Sequence, residues 1–362
     1  MQCPHCNKMH SHNVWRCENC NREMTGGIVF VTGISGSGAA ENVSNLHDYV
    51  NTCGCNHEMA IHDVGAIMRH FAERELRRVV WDRILDMDED ALAFLRALAF
   101  QAIQIEVQAS PDKIHFVRSH LTFRWRAFMT RGIAPHLVEV FRPYIRCFIN
   151  IQEDLKLVQE SLKTTRWGER KLSELLVWRD EEVFLTSFLA DICDQVDCFV
   201  VANREPANTI ERLVWHPEVK KVYLSFPITN IRNSDNARHE IESFRDEIRK
   251  FLVVFDPYVS RDYEDTYIIK EMNELRGAIG DVTMDHDYRL IDQSDAIVVY
   301  FPLKVDSKGV DAEMNYAQQN GKPIFRYCPE ELEGGPFQVP ADHQTRDRNQ
   351  YIRRLKDWAM SN

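Results

Sequence analysis

Short apolar runs of strand length recur along the chain, each followed by a loop of turn-forming residues and then an amphipathic stretch. Ile28-Val29-Phe30-Val31-Thr32 is the first, and Glu58 to Val64, Lys113 to Ser119, Tyr144 to Ile151 and Asp197 to Ala202 repeat it. A second series begins at Lys221 to Phe226 and continues with Phe251 to Phe255, Ala296 to Phe301 and Lys322 to Tyr327. Runs that are apolar throughout, rather than at every second position, predict parallel strands covered on both faces. Between them, Asp90 to Gln108 places Leu92, Leu95, Leu98, Ala99, Ala102 and Ile103 near helical spacing, and Pro111 stops the chain before the next strand. Asn233 to Lys250 carries Ile241, Phe244 and Ile248 on a charged helix, and Tyr267 to Ile279 and Met284 to Ser294 read as two more helices. Phe123, Trp125 and Phe128 are expected to pack rather than to bind a base. The pattern predicts an α/β protein with two parallel-sheet domains, over residues 26–216 and 217–362, joined around His216-Pro217. Sites are expected at the C-terminal ends of the strands.

A length of 362 residues, with 44% hydrophobic and 27% charged, suffices for two full cores. No apolar run reaches the length of a membrane span, and the N-terminus lacks the apolar centre of a signal peptide, so a cytoplasmic protein is expected. A net charge of -11 argues against a surface that embraces nucleic acid throughout, while leaving room for a local basic patch.

The cysteines change the picture at residues 1–25. Cys3-x-x-Cys6 and Cys17-x-x-Cys20 form two knuckles that suit tetrahedral, structural Zn2+, with His5, His10 and His12 as substitute ligands. A segment so short needs such a staple to hold a fold. Four thiolates leave no open position for catalysis, so the ribbon is expected to hold structure or contact a protein or nucleic-acid partner. Cys53-Gly54-Cys55-Asn56-His57 offers ligands at cramped spacing and reads as a turn.

Candidate chemistry in the first domain starts at Gly33-Ile34-Ser35-Gly36-Ser37-Gly38-Ala39-Ala40, between a strand and a helix. Glycines there let backbone N–H groups turn toward an anion at a helix N-terminus, which makes Gly33, Ser35, Gly36, Ser37 and Gly38 candidate phosphate-cradling residues. The glycine spacing matches G-x-x-x-x-G-K-[ST], yet Ala39 and Ala40 stand where the Lys and the hydroxyl residue belong. Nucleotide binding is therefore expected without efficient phosphoryl transfer, and a role for Mg2+ stays open. Residues 28–215 resemble the adenylate kinase-like branch of P-loop kinases. The resemblance implies phosphate-binding roles for Arg69, in Val64-Gly65-Ala66-Ile67-Met68-Arg69, and for His120 and Arg124 after the third strand. It also implies an Arg-bearing lid at Arg166, Arg170 and Arg179.

In the second domain, Asp306-Ser307-Lys308-Gly309-Val310-Asp311-Ala312-Glu313 opens a helix that ends near Asn320-Gly321. Its first-turn amides favour an anionic ligand, which places Glu313 beside a pocket. Phe226-Pro227, Gly309-x-x-x-Glu313 and Gly321-Lys322-Pro323, in that order along the chain, resemble the nucleoside 2-deoxyribosyltransferase family and its nucleotide N-glycosidase relatives. The resemblance covers roughly the last 140 residues. It implies Glu313 as catalytic nucleophile, Asp262 or Asp295 as the acid that protonates the leaving base, and Phe226, Pro227, Ser307 and Gly309 around the substrate. It further implies a homo-oligomer and cleavage or transfer at the N-glycosidic bond of a nucleoside, nucleotide or nucleotide cofactor. The kinase-like domain then serves as nucleotide sensor or scaffold, and nucleotide consumption in antiviral defence is a setting by analogy. Two other readings are a nucleoside monophosphate kinase and a non-enzymatic nucleotide-binding adaptor.

Overall fold

The computed structural model describes residues 26–75, 81–125, 128–165, 168–231, 234–257, 285–303, 305–329 and 340–361. Cys3, Cys6, Cys17 and Cys20, Arg166, Asp262 and the helix expected over Tyr267 to Ile279 lie outside them. The chain divides into two compact units between Asn203 and Arg204, upstream of the expected junction at His216-Pro217. The reason is helix Ala207–Trp215, whose Arg212 guanidinium donates to the carbonyls of Arg249 at 2.5 Å and Leu252 at 2.9 Å, tying it to the second sheet.

In the first unit, strands β1 (Gly27–Thr32), β2 (Met59–Asp63), β3 (Ile114–Arg118), β6 (Ile145–Gln152) and β7 (Asp197–Ala202) form one parallel sheet in the order β2-β3-β1-β6-β7. The central strand is the most apolar one, and every residue of β1 is buried. Helices α1 (Ala39–Thr52), α2 (Val64–Glu75) and α3 (Glu89–Ala109) follow β1 and β2. Asp88 starts α3 by accepting the Asp90 N–H at 3.0 Å, and Leu92, Leu95, Ala99 and Ile103 face the core with Ile28 and Phe30. This is the stripe predicted over Asp90 to Gln108. Beyond β3 comes an antiparallel hairpin, β4 (Thr122–Trp125) and β5 (Phe128–Arg131), which the apolar pattern did not anticipate. Phe123, expected to pack, is half-buried on it and meets His120 edge-on at 5.2 Å. Helices α4 (Pro135–Glu139), α5 (Leu155–Leu162) and α6 (Leu172–Ile192) complete the unit. The Cys53-Gly54-Cys55 turn follows α1, with the two sulfurs joined in a disulfide.

In the second unit, α7 (Ala207–Trp215) precedes β8 (Lys221–Ser225), α8 (Ile228–Ile231), α9 (Asp235–Ile248) and β9 (Val253–Phe255). After helical residues 285–292 come β10 (Ala296–Tyr300), α10 (Lys308–Gln319), β11 (Ile324–Tyr327), β12 (His343–Thr345) and α11 (Arg348–Met360). The sheet is parallel, in the order β12-β11-β10-β8-β9. The chain thus runs from β8 outward to β9, then crosses back to β10 on the other side of β8. That reversal makes a topological switch point at the C-terminal ends of β8 and β10, where open α/β sheets in general form a ligand-binding crevice. The fold is α/β with two parallel sheets, as predicted. Among the described residues no helix is long and apolar enough to cross a membrane.

Candidate functional site

Alternation along β8 puts Tyr223 and Ser225 on one face of the sheet, two residues apart. Helix α10 brings Glu313 over that face. Its carboxylate is buried, at 8% exposure, and accepts a hydrogen bond from the Tyr223 hydroxyl at 3.0 Å and a shorter one from the Ser225 hydroxyl. Two hydroxyl donors thereby fix a carboxylate beside the switch point between β8 and β10. Ser307 starts the helix, its side chain accepting the Val310 N–H at 3.4 Å. One turn beyond Glu313, Tyr316 stacks on Tyr288 with ring centroids 3.9 Å apart, both rings half-exposed. Tyr316 donates to Asp292 at 3.0 Å. Burial, followed by the negative charge of Glu313, raises the Tyr288 hydroxyl above its ordinary value, so the phenol stays protonated at neutral pH.

The other residues predicted for this site divide. Asp295 precedes β10 at the N-terminal end of the sheet, opposite to Glu313, and its carboxylate accepts the Lys221 N–H at 2.7 Å. It clamps the register of β8 against β10 and stands away from the switch point, so the structure does not bring it to Glu313 as the proton donor. Phe226, at 3% exposure, belongs to the core with Val222, Leu224 and Phe244. The Pro227 carbonyl accepts the N–H groups of Asn230 and Ile231, both at 3.1 Å, and starts α8. Gly309 lies in the first turn of α10, where an added Cβ would meet nothing within 4 Å. Tyr223, Ser225, Tyr288 and Tyr316 were not singled out from the sequence, where the alternation in β8 was the one available signal.

In the first unit, Gly36 and Gly38 have φ of 84° and 78°, and Gly38 caps α1. A Cβ at Gly38 would come within 2.2 Å of the Asn203 side chain, so that position requires glycine for both reasons. Gly33 is held at both ends, its carbonyl accepting from His120 Nδ1 at 2.5 Å and its N–H donating to Glu182 at 3.3 Å. Burial lowers the affinity of His120 for a proton, which keeps the ring neutral.

Glu182, on α6, is fully buried. It also accepts the N–H groups of Leu121 at 2.7 Å and Thr122 at 2.8 Å and the Thr122 hydroxyl at 2.6 Å. Burial pushes its carboxyl up to about 7, against the pull of those donors. Thr32, Asn150 and Thr186 continue the polar network behind the loop through contacts of 2.8 and 3.0 Å. The first amide of the loop is therefore already committed to an internal carboxylate. Ser35 is half-buried, while the Ser37 hydroxyl is buried without a hydrogen-bond partner among the described residues. Arg69 lies exposed on α2, and Arg124 makes a two-pronged pair with Glu181, with Nε at 2.8 Å. Arg170 donates to Glu174 at 2.8 Å and to the Arg124 carbonyl at 3.0 Å, which occupies it structurally. Sequence reading missed Glu182 because it stands in the run Asp180-Glu181-Glu182, which looks like a solvated helix face.

No protein-family model matches the chain, and no curated protein matches it. Solved structures with some likeness include TT1252 from Thermus thermophilus, 16% identical with a TM-score of 0.31, over 52% of this chain and 94% of that one. A sugar kinase from Janibacter sp. HTCC2649 is 15% identical with a TM-score of 0.29, over 52% and 94%. Shikimate kinase from Acinetobacter baumannii is 14% identical with a TM-score of 0.32, over 54% and 97%. Likeness this slight assigns no role to any residue, and the site stands on its own geometry.

Proposed function

We propose that the second unit cleaves or transfers at the N-glycosidic bond of a nucleoside, nucleotide or nucleotide-containing cofactor, with Glu313 as nucleophile. The observation that supports this reading is the buried Glu313 carboxylate, held by the Tyr223 and Ser225 hydroxyls of β8 beside the switch point between β8 and β10. Loss of a base builds positive charge at the anomeric carbon, and a fixed carboxylate stabilises that charge or attacks it to form a glycosyl ester. Water then completes hydrolysis, and a second base completes transfer. The stacked Tyr288 and Tyr316 rings beside Glu313 offer an apolar face to a planar base. Asp262 remains the proposed proton donor to the leaving base. In the first unit the Gly33 to Gly38 loop is proposed to bind nucleotide as a sensor, with Zn2+ holding the N-terminal ribbon on Cys3, Cys6, Cys17 and Cys20.

Product analysis tests the reading. Pure protein incubated with a mixed nucleotide pool is expected to release free base. Transferred phosphate with no free base would favour a kinase, and neither product would favour an adaptor.

A further inference from the structure

A cavity lies within the first unit, between α3, α6 and the β4–β5 hairpin, with a volume of about 600 Å3. Its walls are mainly apolar, with Leu92, Met129, Leu185 and Phe188 among them. That size and lining suit a small organic molecule. Arg96, from the middle of α3, also lines it, and only 7% of Arg96 is exposed. Its guanidinium makes no hydrogen bond or ion pair among the described residues.

A buried cation without a partner is costly and calls for an anion. The other charged residues among the described lining are Arg131, which is exposed on β5 and adds positive charge, and Glu89, exposed in the first turn of α3. Among the described lining residues, two cations stand against one acid. The hydroxyl residues Thr122 and Thr130 add polar groups to its wall. Burial weakens the hold of Arg96 on its proton, the negative charge of Glu89 opposes that effect, and the positive charge of Arg131 adds to it.

We propose that this cavity binds a small organic anion, a carboxylate or phosphate monoester on an apolar body, with the acidic group on Arg96 and the body against Leu92, Leu185 and Phe188. The site is separate from Glu313 and does not depend on the reading of the second unit. It does touch the Gly-rich loop through one carboxylate. Leu121 and Thr122 line the cavity, and their N–H groups donate to Glu182, which also takes the N–H of Gly33. A ligand there sits one side chain away from the loop.

Calorimetric titration of the full chain with benzoate, phenyl phosphate and the uncharged benzyl alcohol tests the proposal. Saturable binding of benzoate or phenyl phosphate, with none of benzyl alcohol, is expected, and the tighter of the two identifies carboxylate or phosphate as the natural group. Arg96→Met, which keeps the length of the side chain and removes its charge, is expected to weaken binding by about tenfold or more with an unchanged or raised melting temperature. Should Arg96→Met fail to fold, Arg131→Gln at the exposed mouth decides, with a several-fold weakening expected. Absence of saturable binding by both anions, equal affinity for benzyl alcohol, or undiminished binding in the folded variants would overturn it.

Discussion

Replacing Glu182 with Gln removes the titration of a buried carboxyl that ties three backbone amides together behind the Gly-rich loop. In the folded chain burial raises this carboxyl from the ordinary 4.5 to about 7. The folded state therefore holds a proton that the unfolded state has released between those two values. Stability falls as pH rises wherever the folded state binds more protons, so the contribution of Glu182 is fullest below about pH 4.5 and is lost by about pH 7. At 1.36 kcal/mol per pH unit, that interval corresponds to about 3 kcal/mol. Glu182→Gln carries no such titration, although its amide N–H2 faces donors and adds a pH-independent cost. Urea unfolding of both proteins across the acid-to-neutral range gives the comparison. The difference in stability, wild type minus variant, is expected to decline by about 3 kcal/mol up to pH 7 and then to level off. A flat difference would show that Glu182 has the same pKa folded and unfolded. A difference that rises with pH would show that the four donors outweigh burial, and the reasoning would fail.

Removing the hydroxyls that aim Glu313 is expected to slow base release: Ser225→Ala and Tyr223→Phe each lower kcat by about tenfold or more while the circular dichroism spectrum stays unchanged. Steady-state kinetics with unaltered rates in both variants would contradict the positioning role. Zinc analysis of wild type and Cys17→Ser is expected to find one metal per chain in the first and a deficit in the second, and equal contents would remove the assignment. With Ala39 and Ala40 at the start of α1, magnesium-dependent phosphate transfer from ATP to a nucleoside monophosphate is expected to be weak or absent. Robust turnover in a coupled assay would show that a lysine from elsewhere completes the loop.

The strands of both units were legible because their apolar runs exceed what a solvated segment carries, and Ala296 to Phe301 falls within one residue of β10. Strand β12 was not, because His343-Gln344-Thr345 is short and polar and is held by its pairing with β11 rather than by its own pattern. The β4–β5 hairpin was hidden for a related reason: its aromatic residues read equally well as packing. At the candidate site, the placement of Glu313 on a helix after a strand and a small-residue loop was legible. The spatial end of the sheet on which Asp295 sits was not, because a residue that precedes a parallel strand lies opposite to one that follows it. Glu182 and Arg96 show the limit most plainly. Nothing in Asp180-Glu181-Glu182 or Leu95-Arg96-Ala97 distinguishes a buried charge from a solvated one until the helix is rotated onto its sheet.

The central claim is that Glu313 attacks or stabilises the anomeric carbon of a bound nucleoside or nucleotide. Glu313→Gln keeps the shape of the side chain and its two hydroxyl partners within reach, and removes the negative charge. Measuring free base released by wild type and by Glu313→Gln from the same nucleotide pool tests the claim most directly. The account predicts release by the wild type and a loss of orders of magnitude in the variant, with folding and substrate binding retained. Base release that survives the substitution unchanged would contradict it.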